Sequence, residues 1–498
     1  MSNQETADAY EELLEHVRRY NYLADARGQL TWDQRVMMPE AGTPARSKQL
    51  STLSTLHHEL VTDEQLGELL DELDGSLEGE RAAVVREVRR EHERAVRVPE
   101  SLVEELSETT SNARPVWEQA REEADFSQFE ATLEDIVELR REYAEAIDPD
   151  RDPYEVLVED YEPYLPLSTI ESVLETLRDE LPALIDAIGD SDIELATPLA
   201  GDTYPETDQE ALMREALDVV GFDWERGRLD VSTHPFTSGT QYDTRITTRY
   251  TPEDPLDALG STLHEFGHAH YTLGLSRAEY GTPLGDDRDM TVHESQSRLW
   301  ENHVGRSLPF WRAFAPAVEE HLGVDASPRA FYESVNEVYD DNLIRVEADE
   351  LTYHMHIILR FEIERDLIRG DLEVSEVPTV WNDRMEEYLG VRPEDDAEGC
   401  LQDVHWSEGF FGYFPTYSLG SMLATQLFAA AERDLGSLDE RIEDRSFEDL
   451  EEWLRENVHA HGCRYTTPEL VREATGEDLT AEYYLSYAHE KYGDLYGL

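Results

Sequence analysis

Two histidines one helical turn apart, with a glutamate directly after the first, have the residue types and spacing of a metal site. His264, Glu265 and His268 lie in STLHEFGHAHYTLG, residues 261–274. On a helix, side chains four positions apart share one face with about 5 to 6 Å between their Cβ atoms, which suits two nitrogen ligands of a tetrahedral Zn²⁺. Glu265 then stands where it can deprotonate a water activated by the metal without being a ligand. The alternative is a pair of core histidines that share a helical turn by chance.

A catalytic zinc requires a third protein ligand and an open position for water. The metzincin pattern is excluded, because Tyr271 and Gly274 stand where that class has a glycine and a histidine. His270 lies about 200° around the helix from the second motif histidine and is interpreted as structural. The remaining source is a carboxylate on a following helix. Glu294 and Glu301 in TVHESQSRLWENHVG are seven residues apart on similar faces, and spacing alone does not choose between them.

The elements that must position these residues are mostly helical. Apolar residues between Leu133 and Ile147 follow the i, i+3, i+4, i+7 spacing of a helix face, as does much of residues 1–200. Segment 229–250 differs, because β-branched and aromatic residues crowd around Ser238-Gly239 as they do in a hairpin, which predicts a small β-sheet. Helical patterns return after this segment and continue to the end of the sequence.

The predicted organisation has two halves around a cleft. An N-terminal helical half, residues 1–200, is expected to roof the cleft. A catalytic half, residues 201–498, contains the predicted sheet and the HExxH helix. We expect the two halves to form one continuous, cleft-bearing domain, since a chain of this length can bury a substantial core.

The composition is strongly acidic. The chain of 498 residues has 42 Lys plus Arg against 112 Asp plus Glu, a net charge of −70, and 39% hydrophobic residues. Lysine occurs only at Lys48 and Lys491. We interpret this as a folded halophilic protein, because at molar salt the Debye length falls to about 3 Å and the repulsion is screened. The same charge excludes nucleic acids and anionic membranes as favoured partners.

The location and the redox state are also predicted. The segment MSNQETADAYEELLEH lacks the basic and apolar regions of a secretory signal, and no stretch approaches 18 uninterrupted apolar residues. A cytoplasmic protein is therefore expected. Cys400 and Cys463 are too few for a disulfide framework and are predicted to be buried thiols.

Several motifs recur in a fixed order along the chain. They are HPF at 234–236, DTRIT at 243–247, HEFGH at 264–268, HESQSR at 293–298, IRVEAD at 344–349 and GCLQDVHW at 399–406. Together they resemble the carboxypeptidase Taq family of zinc metallocarboxypeptidases. TWDQRVMMPEAGTPARSKQL and DPYEVLVEDYEP also resemble family segments, so the resemblance extends from about residue 31 to residue 406.

The resemblance implies a mainly α fold like those of neurolysin and angiotensin-converting enzyme, with a small β-sheet beside a deep active-site cleft. It implies release of single C-terminal residues from peptides with broad specificity, Zn²⁺ as cofactor with Co²⁺ as a substitute, and a homodimer. It also implies that His264, His268 and Glu294 are the metal ligands and Glu265 the catalytic base. Glu301 then becomes an ordinary exposed carboxylate on a helix.

By similarity to the converting-enzyme fold, His405 and Tyr413 are expected to stabilise the tetrahedral oxyanion, with Tyr417 as a rival donor. Without the resemblance, the aromatic run GFFGYFPTY would be interpreted as core.

An exopeptidase also needs a cation for the free α-carboxylate of its substrate, and a guanidinium can bind both oxygens. Arg345 is the first candidate and Arg245 the second. The alternative for Arg345 is an ion pair with Asp349, four residues later on a helix. The HPF and DTRIT segments are expected to form the strand edge along which the peptide lies, with His234 as either a substrate contact or a structural residue.

Two other functions compete with this one. A zinc oligopeptidase would cut internal bonds of short peptides in the same type of fold. A non-enzymatic scaffold would hold the metal for stability alone, although structural zinc sites are usually closed by cysteine and histidine rather than carboxylate.

Overall fold

Helices form nearly all of the regular structure. The computed structural model describes residues 3–339 and 343–498. Its α-helices are α1 Asn3–Val36, α2 Thr43–Val61, α3 Glu64–Leu73, α4 Glu80–Arg97, α5 Glu100–Glu122, α6 Glu130–Ile147, α7 Pro153–Val158, α8 Leu167–Gly189, α9 Glu206–Val219, α10 Pro255–Gly274, α11 Met290–Arg298, α12 Leu308–Leu322, α13 Pro328–Ser334, α14 Thr352–Arg369, α15 Val377–Leu389, α16 Pro415–Leu435, α17 Leu438–Glu443, α18 Glu448–Asn457, α19 Thr467–Thr475 and α20 Glu482–Tyr496. The predicted mainly α fold with one small sheet is confirmed.

The hydrophobic core has two parts. The larger cluster of buried residues begins at Val98 and reaches Tyr496, so it joins α5 to α20 and includes the sheet. The smaller cluster is formed by α1 to α4. The division of the chain at residue 200 stays a prediction. In the part of the chain that the structure describes, no helix combines the length and the apolar character needed to cross a bilayer.

Both lysines and both cysteines have clear environments. Lys48 is exposed on α2, whereas Lys491 on α20 is 7% exposed and donates from Nζ to Glu350 Oε2 at 2.7 Å. Cys400 and Cys463 are free and buried, as predicted.

The sheet consists of three strands, β1 Gly227–Val231, β2 Thr237–Thr240 and β3 Asp243–Thr248. Their order is β1-β3-β2, with β1 parallel and β2 antiparallel to the central β3, so β2 is an edge strand. The expected sheet is therefore present, but Ser238-Gly239 lies within β2 and the turn to β3 follows it. Gly239 has φ +151°, and a Cβ there would lie 2.1 Å from Asp243 O.

Two glycines allow the helices around the HExxH motif to pack closely. A Cβ at Gly267 of α10 would lie 2.4 Å from Gln296 O of α11, and one at Gly420 of α16 would lie 2.5 Å from the Glu294 side chain. Because neither glycine has a side chain, α10 and α16 both contact the backbone or side chains of α11 directly. These contacts bring α10, the HExxH helix, and α11, the HES helix, to one site.

Candidate metal centre

Three side chains from α10 and α11 converge on one point. His264, His268 and Glu294 each offer a ligand atom, and these atoms lie within 4.8 Å of one another. Glu294 Oε2 is 3.7 Å from His264 Nε2 and 3.5 Å from His268 Nε2. Tetrahedral nitrogen and oxygen ligands at about 2.0 to 2.2 Å from an ion lie about 3.3 to 3.6 Å apart. The two nitrogens and one oxygen therefore fit a single divalent metal ion with a fourth position for water.

Glu301 is not the exposed carboxylate that the resemblance implied. It is 7% exposed, and its Oε2 lies 2.9 Å from His264 Nδ1. It also accepts from Arg298 Nη1 at 3.1 Å and Arg306 Nη2 at 2.9 Å. Burial opposes its ionisation, but the charges of the two arginines outweigh burial and hold the pKa of Glu301 well below its usual value. Glu301 is therefore placed to orient the ring of His264, a role that spacing did not reveal.

The other two ligands also have side-chain partners. His268 Nδ1 lies 2.6 Å from His293 Nδ1, and His293 Nε2 lies 3.4 Å from an oxygen of Asp287. Glu294 Oε1 accepts from Arg298 Nε at 2.8 Å. Such contacts fix the orientation of metal ligands. The atom on the far side of each ligand from its partner, Nε2 of the histidines and Oε2 of Glu294, faces the shared centre.

Glu265 is held by the edge strand. Its side chain is buried, with 6% of the residue exposed, and its Oε2 accepts from Thr237 Oγ1 of β2 at 2.6 Å. Burial raises the pKa of Glu265, against the lowering effects of His264 and Thr237. A buried carboxylate with a raised pKa is suited to take and return a proton. The sheet was predicted, but nothing in the sequence indicated the contact between Thr237 and Glu265.

These groups lie in a cavity of about 690 Å³. Its walls combine the HExxH helix, the HES helix, strand β2 and helix α1, the last through Asn21, Ala24 and Asp25. Tyr413 and Tyr417 complete the wall. The N-terminal helix thus contributes to the cavity, which is large enough for a short peptide segment.

The aromatic run GFFGYFPTY, residues 409–417, contributes to both the hydrophobic core and the cavity wall. Phe411 and Phe414 are buried, while Tyr413 and Tyr417 line the cavity with ring centroids 5.3 Å apart. His405 does not line it but lies behind Tyr413, with 5.8 Å between ring centroids. Burial lowers the pKa of His405 to about 4, so its ring is neutral at neutral pH.

Arg345 does not form the ion pair with Asp349 that was considered from the sequence, because it lies in a short 3₁₀ turn, Arg345–Glu347. Its Nε and Nη2 donate to Asp403 Oδ1 at 2.9 and 2.7 Å. Arg360 shares the same carboxylate, donating to Oδ2 at 2.6 Å. Arg345 Cζ lies 5.5 Å from the ring centroid of Tyr417, a cavity residue.

Arg245 and His234, like Arg345, are not among the residues that line the cavity. Arg245 on β3 donates to Asp243 at 2.9 and 2.6 Å, and its Cζ lies 4.6 Å from the ring centroid of Trp32. His234 is exposed in the segment before β2, although Pro235 and Phe236 beside it line the cavity.

His270 points away from the ligand cluster. It stacks on Phe266 with 5.6 Å between centroids and packs edge-on against Trp300 at 5.5 Å. Burial lowers its pKa to about 4, so it is a neutral ring among aromatic residues.

A helical fold that joins an HExxH helix to a glutamate from a second helix, within a peptide-sized cavity, defines a metallopeptidase. The family model of the carboxypeptidase Taq (M32) metallopeptidases matches residues 12–492. The chain belongs to this family and is a metallocarboxypeptidase, a hydrolase that acts on C-terminal residues. Its family membership also implies a divalent metal.

Relatives match the chain over nearly its whole length. Thermostable carboxypeptidase 1 of Thermus thermophilus is 40% identical over 507 residues, covering 98% of this chain and 99% of that protein. Carboxypeptidase 1 of Bacillus subtilis is 35% identical over 492 residues, covering 97% and 98%. The crystal structure of the M32 carboxypeptidase from Deinococcus radiodurans R1 superposes with a TM-score of 0.94 at 37% identity, covering 99% of this chain and 100% of that one.

Proposed function

We propose that the protein is a zinc carboxypeptidase that releases single C-terminal amino acids from peptides with broad specificity, with Co²⁺ able to replace Zn²⁺. His264, His268 and Glu294 would hold the ion. When bound, the metal acidifies a water and polarises the scissile carbonyl. The mixed histidine and carboxylate donors support zinc, which prefers such sites when it is catalytic.

Proton transfer is assigned to Glu265. It accepts a proton from the attacking water and later delivers it to the leaving amine. The Thr237 hydroxyl, 2.6 Å from Glu265 Oε2, holds the carboxylate in the cavity. Tyr413 stabilises the oxyanion by hydrogen bonding, with His405 behind it and Tyr417 as the rival donor.

The observation that carries the exopeptidase assignment is the shared carboxylate of Asp403. Arg345 and Arg360 both donate to it. The cluster of two guanidinium groups and one carboxylate therefore has a net positive charge. In a chain of net charge −70, such a group beside the cavity is suited to attract the free α-carboxylate of a peptide. Arg345 is the proposed anchor. Arg245, which pairs with Asp243, and His234, which is exposed, are weaker candidates.

Zinc oligopeptidase activity on internal bonds is the alternative, because the cavity alone does not require a free carboxylate. We also propose that the protein is a cytoplasmic, halophilic homodimer that does not bind nucleic acid. The dense carboxylate surface supports the salt requirement and disfavours phosphate ligands.

One experiment tests the reaction. A set of peptides is digested in molar salt with and without a chelator, and the products are followed by mass spectrometry. We expect a ladder of products that lose one C-terminal residue at a time, that disappears with chelator and returns with Zn²⁺ or Co²⁺. Fragments from internal cleavage would support the oligopeptidase instead.

A further inference from the structure

A buried glutamate contacts both ends of the loop from Trp406 to Gly412. Two of the residues assigned to the oxyanion flank this loop. Glu364 is 0% exposed. Its Oε1 accepts from Trp406 Nε1 at 2.9 Å, and its Oε2 accepts from the backbone N–H of Gly412 at 3.0 Å. His405 directly precedes Trp406, and Tyr413 directly follows Gly412. Each of these two residues is thus adjacent in sequence to a residue that is hydrogen-bonded to Glu364.

A second helix is tied to the same carboxylate. Tyr154 of α7 donates from its hydroxyl to Glu364 Oε2 at 3.2 Å. Gly412 has φ +87°, and a Cβ there would lie 2.8 Å from the backbone nitrogen of Val158 at the end of α7. The loop is therefore in direct contact with α7, and Glu364 of α14 links this helix to both ends of the loop.

We propose that Glu364 is a positioning residue for peptide hydrolysis, which fixes the loop so that Tyr413, with His405 behind it, meets the oxyanion. The proposal rests on the oxyanion role assigned above. A single hydrogen bond contributes modestly to stability, but a displacement of about 1 Å near the reacting atoms can cost about 100-fold in rate. Loss of the carboxylate should therefore affect turnover more than folding.

A negative charge on Glu364 does not account for the contacts around this group. Burial raises the pKa of Glu364 to about 8, and the hydrogen bonds from Gly412, Trp406 and Tyr154 only partly offset it. At neutral pH the side chain is therefore largely protonated. In the protonated state the hydrogen bond with Tyr154 reverses, because the carboxyl proton is donated to the tyrosine hydroxyl while the two N–H groups still donate to the carboxyl oxygens.

Glutamine at position 364 cannot do the same. One orientation of its amide directs the NH₂ group at the N–H of Gly412, and the other directs it at the N–H of Trp406. Both neighbours are donors only, so one pairing is lost in either orientation. Glu364→Gln thus keeps the shape of the side chain and breaks one end of the loop.

Glu362 offers a matched control on the same helix. It is 7% exposed and accepts from Arg178 Nη1 at 3.1 Å and from Tyr388 at 2.8 Å. Glu362→Gln makes the same chemical change in a buried network of α14 that contacts neither Trp406 nor Gly412.

The test compares Glu364→Gln, Glu362→Gln and Tyr154→Phe in molar salt by steady-state kinetics, thermal unfolding and metal content. For Glu364→Gln we expect kcat to fall about 10- to 100-fold while KM and bound metal stay within about twofold. Tyr154→Phe, which removes one hydrogen-bond partner of Glu364 and keeps the ring, should lower kcat by a smaller factor. Glu362→Gln should lower the melting temperature and leave kcat unchanged.

Two results would overturn the positioning role. One is an unchanged kcat in Glu364→Gln. The other is an equal loss of kcat in Glu364→Gln and Glu362→Gln that parallels the loss of melting temperature. Tyr413→Phe separates this from a failure of the assigned oxyanion role. If Tyr413→Phe and Tyr417→Phe both leave kcat unchanged, the oxyanion assignment is wrong. If Tyr413→Phe lowers kcat and Glu364→Gln does not, only the positioning proposal fails. If Tyr417→Phe alone lowers kcat, the oxyanion role of Tyr413 and the positioning proposal both fail.

Discussion

Glu301 Oε2 lies 2.9 Å from His264 Nδ1, while the opposite ring nitrogen of His264 faces Glu294 Oε2 at 3.7 Å. The carboxylate therefore sets the tautomer, since Nδ1 must carry the proton for Nε2 to be a ligand. Arg298 joins the two glutamates, donating to Glu294 at 2.8 Å and to Glu301 at 3.1 Å. The ligand and its partner form one connected group.

Glu301→Gln should weaken metal binding without removing a ligand. The amide oxygen can still accept from His264, but the negative charge that makes the ring a stronger donor to the metal is lost. We expect affinity to fall about 10- to 100-fold, measured by competition with a chelator in molar salt. Glu362→Gln, which alters another buried carboxylate, is the control and should retain the parent affinity. An unchanged affinity in Glu301→Gln would contradict the orienting role.

Glu265→Gln should abolish most turnover and keep the metal. Its carboxylate is the proposed proton carrier and not a ligand, so kcat for a blocked dipeptide should fall by about 100- to 10,000-fold at unchanged metal content. Thr237→Val, which removes the hydroxyl at 2.6 Å from Glu265, should give a smaller loss. Parent-like hydrolysis by Glu265→Gln would show that another group carries the proton.

Arg345→Ala should raise KM for peptides that end in a free carboxylate. Loss of a charge-assisted hydrogen bond of about 1.5 to 3 kcal/mol corresponds to about a 10- to 100-fold increase. Arg345→Lys keeps the charge and loses the two-point geometry, so an intermediate increase is expected. C-terminally amidated peptides provide the check: if the parent enzyme cleaves them equally well, the carboxypeptidase specificity does not depend on this anchor.

Stability should depend on salt. With a net charge of −70, the folded protein repels itself more strongly as the Debye length grows from about 3 Å at 1 M to about 10 Å at 0.1 M salt. We therefore expect the melting temperature to fall steadily as KCl is lowered across this range. Circular dichroism at several KCl and NaCl concentrations measures the effect. A melting temperature independent of ionic strength would remove the halophilic interpretation.

The sequence was most informative where one local pattern carries the chemistry. The spacing of His264 and His268 predicted a shared helix face, and the glycine between them, Gly267, lies where α10 contacts α11. The small sheet was also predicted from its β-branched residues. Its turn was misplaced, because Ser238-Gly239 resembles a hairpin turn but continues β2, and Gly239 instead permits close contact with β3.

Partners that are distant in sequence could not be predicted from periodicity. Glu301 follows α11 in a π-helical segment, Leu299–Gly305, where α-helical spacing no longer gives the direction of a side chain. The contact between Tyr154 and Glu364 spans 210 positions. One general signal was available for Glu301: a histidine ligand usually has a hydrogen-bond partner at its second ring nitrogen, and Glu301 had already been considered beside Glu294 as a carboxylate near the metal.

The two lysines differ in exposure, and this difference determines where the protein can be coupled through lysine. Lys491 is 7% exposed and bonded to Glu350, so Lys48 on α2 is the exposed lysine side chain. Coupling through a lysine side chain should therefore attach a support or a dye to α2, at Lys48. Lys48 is absent from the cavity walls, so the immobilised protein should keep its active site accessible to peptides.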